Sequence, residues 1–204
     1  MISAYFRENP LVGVLLAVLA IAVFAIWVLV LRARGEKNRE NEDLIKKLKE
    51  ENKLRNDFAI LTPALAESSD EKDLFRGVSL GLQKKISDAP DMEGAFYGLT
   101  APQRMIYAFS FVVEDGGEKL SGFFSANGKP LTDEAKNAAE TVFSGEALEI
   151  FEKEFSASDP DDETTSYIPD EIKALDEKFA EFVSTDEIMR LGGKYIKENL
   201  SAFI

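Results

Sequence analysis

The chain has 204 residues, 37 acidic against 24 basic for a net charge of −13, and contains neither cysteine nor histidine. The two missing residue types exclude a disulfide framework, thiolate or His-rich zinc sites, iron-sulfur clusters, the Ser-His-Asp triad and the Cys-His pair. Carboxylates, Lys, Tyr, Ser and Thr are left for any chemistry, and the length suits a membrane segment plus one domain of ordinary size.

From Leu11 to Leu31 the chain reads LVGVLLAVLAIAVFAIWVLVL, 21 residues without a charge. At helical rise this spans roughly 31 Å, the thickness of a bilayer's hydrocarbon core. A buried core helix seldom stays apolar all round for so long, and the apolar region of a cleaved signal is shorter, about 7 to 15 residues. Ala20 and Ala22 form an A-x-A pattern, but VFAIWVLVL follows where a mature secreted chain would turn polar. The expectation is a retained single-pass anchor, with residues 1–10 as a short extracytoplasmic tail. Only Arg7, offset by Glu8, precedes the span, whereas Arg32, Arg34, Lys37 and Arg39 follow it. The positive-inside rule therefore places the C-terminal part on the cytoplasmic side of the cell (inner) membrane. Tyr5 and Phe6 at one end and Trp27 toward the other suit the two interfacial aromatic belts. Gly13 and Ala17 stand at small-xxx-small spacing, which helps anchors pair, although ordinary alanine usage explains it equally well.

Residues 32–66 are expected to form a basic, then mixed-charge stalk, helical from Glu36 to about Ala66. Glu42 with Lys46, Asp43 with Lys47 and Glu51 with Arg55 are i,i+4 pairs in the favourable acid-first order. Leu44, Leu48 and Phe58 fit one heptad register, and Leu54, Phe58, Leu61 and Leu65 fit another. Neither lasts the three to four heptads of a secure coiled coil, so a homodimer through stalk or anchor stays open. The basic start of the stalk also suits anionic headgroups of the lipid bilayer, or simply follows the positive-inside bias.

Residues 67–204 are expected to fold as one acidic all-α domain. Ser68-x-x-Glu71 predicts a capping box before LFRGVSLGL, and Thr100-x-x-Gln103 predicts another, with Pro102 in the first turn of QRMIYAFSFVVE. In that second stretch Ile106, Phe109 and Val113 recur at helical spacing, which marks a central core helix ended by Gly116 and Gly117. Thr132 and Ser144 are the expected N-caps of the next two helices, the latter turning Leu148, Phe151 and Phe155 inward. Pro169 suits the first turn of a helix with the stripe Ile172, Leu175, Phe179 and Phe182. Ser184-x-x-Glu187 opens the last helix, carrying Ile188, Leu191 and Tyr195. Sustained alternation of β-branched residues is absent, which favours an all-α class.

An ordered set of features runs from QRMIYAFSFVVEDGG through FFSANG, an alanine-rich helix and EALEIFEKEF to LDEKFAEF, YIKEN and Phe203. In this order the segment from about Thr100 to Phe203, half the chain, resembles the helical domain family that includes the bacterial DNA-mimic proteins. Glu114, Gly116, Gly117, Phe123, Phe124 and Asn127 look like the family's motif positions. Asp115 stands where Asn is usual, Glu118 where the family has an aromatic, and the Gly-to-Phe spacing is about two residues longer. The family brings no catalytic residues to transfer, so the resemblance implies architecture. Physical reading agrees, since a Gly pair ends a helix, a Phe pair plugs a core and Asn127-Gly128 makes a turn. An anion-binding nest at the Gly pair is the alternative, opposed by the surrounding Glu114, Asp115 and Glu118.

Charge is unevenly placed. Asp133 to Glu187 holds 18 acidic residues against 4 lysines, a balance of −14, while residues 32–56 hold nine basic against six acidic, or +3. An acidic field repels nucleic acid, so no direct nucleic-acid binding is expected, and it attracts basic proteins. Glu146, Glu149 and Glu152 at i,i+3 spacing stand about 5 to 6 Å apart on a helix, comparable with backbone phosphates. With Asp170, Glu177 and Glu181 they form the candidate protein-binding set, and carboxylates standing in for phosphates is what DNA mimicry uses. A solvated surface is the plain alternative. Asp159, Asp161, Glu163 and Asp170 occupy positions 1, 3, 5 and 12 of a calcium loop that lacks its Gly and terminal Glu, so neither metal nor cofactor is expected. General acid-base work needs carboxyls opposed across a cleft, which adjacent acids such as Asp161 and Asp162 do not provide. The expected function is a membrane-tethered binding or scaffold module, with a carboxylate-only enzyme and a purely structural domain as alternatives.

Overall fold

The computed structural model describes residues 41–117, 119–158 and 170–204, in two units, Met1–Glu50 and Glu51–Ile204. The expected anchor from Leu11 to Leu31, with Trp27, Arg32 and Arg34, lies outside the described residues, as do Glu118, most of the calcium-like loop and Pro169. Among the described residues no helix is long and apolar enough to cross a membrane. In the first unit residues 41–50 are helical, with Leu44, Ile45 and Leu48 exposed.

The second unit is all-helical among the described residues. It opens on helical residues 51–57 and continues with α1 (Pro63–Ser68), α2 (Glu71–Ser87), α3 (Met92–Tyr97) and α4 (Ala101–Phe111). A π-turn over Val112–Gly116 leads into α5 (Leu120–Ala126), α6 (Leu131–Val142) and α7 (Glu146–Ala157). Then come α8 (Asp170–Phe182), α9 (Thr185–Glu198) and a 3₁₀ turn over Leu200–Ala202.

The helix expected to reach Ala66 breaks over residues 58–62, because Thr62 caps a new helix by accepting from the Leu65 amide, with Pro63 in its first turn. Phe58 and Leu61 pack against the core and not along a stalk; the Phe58 ring covers Gly77, where any Cβ would strike it. The compact unit thus begins at Glu51, upstream of residue 67.

The caps divide into those that agree with expectation and those that do not. Thr100 and Gln103 form the full capping box of α4, and Ser184 accepts from the Glu187 amide to open α9. For α2, however, Asp70 is the cap, accepting from the amides of Lys72 and Asp73, while the Ser68 and Ser69 hydroxyls turn back onto the Leu65 carbonyl. Thr132 lies within α6, where its hydroxyl is buried without a partner. Gly145, at φ 60°, takes the position before α7 expected of Ser144.

Helix α4 is central, packing against α2, α6 and α9. Ile106 and Phe109 are buried as expected, with Met105 and Ala108 beside them. Arg104 ties α4 to α6 through Glu134 at 2.6 Å and holds the Leu99 carbonyl at 2.9 Å. A second apolar centre is aromatic. Phe143, Phe151 and Phe179 meet with ring centroids 5.8 to 6.3 Å apart, and Phe124 adds an edge-to-face contact with Phe151 at 5.4 Å.

Candidate functional site

The loop expected to be structural is tied into the fold by side-chain contacts. Val112–Gly116 widens the end of α4 by one residue per turn, and Gly117 leaves it at φ 51°, a left-handed value that favours glycine. Glu114 accepts from Gln83 at 2.7 Å, which binds the turn to α2. Asn127 donates to Asp115 at 2.9 Å and to the Phe123 carbonyl at 2.9 Å, closing α5 back onto the turn. Phe123 and Phe124 are buried, and Gly116 is buried against Phe123. Thr185 donates to the Gly117 carbonyl at 3.1 Å, so the loop also fixes the start of α9.

The candidate acidic residues lie on two helices that pack together, α7 and α8. On α8, Asp170, Glu177 and Glu181 are all exposed and share one face by helical phase, opposite the buried Ile172, Asp176 and Phe179. Lys173 reaches Asp170 at 3.7 Å on this surface. On α7, Glu146 and Glu149 are exposed and Glu152 is half-buried; the inward face is Ala147, Ile150, Phe151 and Glu154. Glu152 faces toward α6, where Lys136 feels its charge while pairing with Glu140 and lying over the Phe155 ring at 5.8 Å.

Two acidic residues are inside, and neither was expected there. Asp176 takes the core position expected of the α8 stripe, and Phe182 points outward at 48% exposure. The Asp176 carboxylate, 4% exposed, accepts from the Ser121 amide at 2.9 Å and the Ser121 hydroxyl at 2.6 Å. Glu154 on α7 is 0% exposed, and neither of its carboxyl oxygens accepts a hydrogen bond from a donor group. Burial first, then the Asp176 charge and a hydrogen bond shared with Asp176, push the Glu154 carboxyl up to about 9, so it is neutral at pH 7.

Asp176 also lines a groove of about 680 Å³. It is lined by Gly117 and Lys119, by α8 with Phe179, Ala180 and Val183, and by Ser184 to Asp186 at the start of α9. Glu154 stands behind Asp176 and does not line it. Among the described residues no three acidic side chains converge as a metal site would require. Comparison with protein-family models, with curated proteins and with solved structures found no match to this chain.

Proposed function

We propose that this chain is a membrane-anchored, acidic helical protein-binding module that engages a basic protein of the DNA-binding type by charge mimicry. The anchor is the apolar segment from Leu11 to Leu31, and the positive flank after it sets the helical unit in the cytoplasm. The observation that carries the reading is the shared exposed face of Asp170, Glu177 and Glu181 on α8, with Glu146 and Glu149 exposed on the helix packed against it. The likeness of residues 100–203 to the DNA-mimic family supports it. Binding is favoured over catalysis because the strongly perturbed carboxyl among the described residues, Glu154, is fully buried and does not line the groove.

The test is capture on the full chain in detergent, at low and high salt, with free DNA as competitor. A basic DNA-binding protein should be retained, released by salt and displaced by DNA. Changing Glu146, Glu149 and Glu152 together to Gln should weaken retention by roughly tenfold. Retention that ignores both salt and the triple substitution would leave a tethered scaffold whose acidity serves only solubility.

A further inference from the structure

A buried charge is ordinarily compensated by an opposite one or by a metal. The pair formed by Asp176 and Glu154 has neither among the described residues; its donors are the amide and hydroxyl of Ser121, and a proton on Glu154 does the rest. A carboxylate has about four acceptor positions. Ser121 uses one on each Asp176 oxygen, and the protonated Glu154 shares its hydrogen with the same carboxylate, which leaves Asp176 at least one position unused. Of this pair only Asp176 lines the groove, together with the apolar Phe179, Ala180 and Val183.

Resting on the acidic-face reading, we infer that this groove is the receptor for a single arginine side chain of the basic partner, its guanidinium on Asp176 and its aliphatic stem over Phe179. The chemistry fits on three counts. A guanidinium donates to carboxylates, and displacing the Glu154 hydrogen frees the Asp176 position it needs beside those held by Ser121. Its methylene stem covers an apolar floor while the charge sits at one end. The groove opens beside Glu177 on the exposed acidic face of α8, so a partner drawn by that face arrives at its mouth. A divalent cation fits less well, because the cluster supplies two carboxyls and one hydroxyl where a hard ion takes six or more oxygens.

Among the described residues, the charged groups facing the site are Lys119, then Lys173 and Glu177 on α8, and Asp186 on α9, with Lys72 held on Asp186 at 3.1 Å. Lys119 and Lys173 are the competing cations, and the Lys173 ammonium is already drawn toward Asp170. An arriving guanidinium lowers the proton affinity of the carboxyl behind Asp176, so binding at pH 8 expels a proton from Glu154. Exposed carboxylates hold no proton at that pH and contribute none.

The experiment is calorimetric titration of a hexa-arginine peptide into the full chain in zwitterionic nanodiscs at pH 8 and low salt, repeated in two buffers of different ionisation enthalpy. The expected result is release of up to about one proton per peptide from the unaltered protein. Release should vanish in Glu154→Gln, affinity should fall roughly tenfold in Asp176→Asn, and Lys173→Gln should bind more tightly. Binding without proton release overturns the arginine receptor and leaves the acidic face standing. Release that persists in Glu154→Gln does the same. Absence of any binding at low salt removes both readings. The proton count on the unaltered protein needs no variant, so misfolding of Asp176→Asn does not protect the inference.

Discussion

Two helix pairs in the same unit are held together in opposite ways. Helices α2 and α9 meet through shape. Gly192 lies against the Phe75 ring and Gly193 against the backbone of Glu71, where a Cβ would fall 2.6 Å from the carbonyl carbon. Leu74, Phe75, Ile188 and Ile196 fill the rest, and the ionic contacts, such as Lys197 with Glu71 at 3.5 Å, sit at the edge. Helices α7 and α8 meet through the Phe151 and Phe179 rings and through a buried neutral glutamic acid, Glu154, beside the Asp176 carboxylate. The first contact is indifferent to pH and intolerant of volume; the second depends on one proton staying in place.

The largest effect expected from this difference is on pH dependence. The ordinary glutamate value is 4.5 and the folded value about 9, so between them the folded state holds one more proton than the unfolded chain. Stability from Glu154 is fully present below the lower value and drains away as pH rises to the upper one, at up to about 1.4 kcal/mol per pH unit. Denaturant melts at pH 5 and pH 8 should therefore separate in the unaltered chain. Glu154→Gln, which keeps the shape without the titration, should lose most of that separation and be the more stable protein at pH 8. Equal slopes for the two proteins would show that Glu154 is charged in the fold, and the contrast between the helix pairs would collapse.

Next in size is Gly193→Ala. The new methyl cannot be accommodated by a side-chain rotation because it meets main chain, so α9 must lift from α2. The cost should be about 3 kcal/mol, equal at pH 5 and pH 8, read by the same melts. Ser121→Ala should follow at about 1 to 3 kcal/mol, since Asp176 loses a hydroxyl donor 2.6 Å away and keeps only the amide.

How much of this was legible in the sequence depends on residue type. The Thr100 and Ser184 caps and the inward Ile106 and Phe109 were readable because type and helical phase agreed. At Asp176 and Glu154 they conflict. Asp176 is four residues after Ile172 and three before Phe179, and Glu154 is four after Ile150 and three after Phe151, so phase alone places both inside. Their charge argues for the surface, and Phe182 looks like the better core residue until α8 is seen to turn it outward. The contact of Gly193 with Glu71 joins residues more than 100 positions apart and has no local signature. Asp70 was masked by two serines before it, each a plausible cap on type alone. The outward stripe of Asp170, Glu177 and Glu181 needed only phase, since nothing opposed it.

The smallest expected effect tests whether α2 and α9 are held by shape alone. Lys72 and Asp186 join the two helices at 3.1 Å, and their hydrogen bond raises the Lys72 ammonium above its ordinary value. Both side chains are well exposed, at 43% and 69%, where water and salt screen the attraction and ordering two long side chains offsets it. Lys72→Gln should thus leave the melt unchanged at moderate salt, although this ion pair is the shorter of the two that bridge the helices. A salt-sensitive loss of stability in Lys72→Gln would mean that α2 and α9 lean on their rim charges. The glycine contact would then only set how closely the helices approach, and the pH-indifference assigned to that pair would fail at the alkaline end, where the lysine itself titrates.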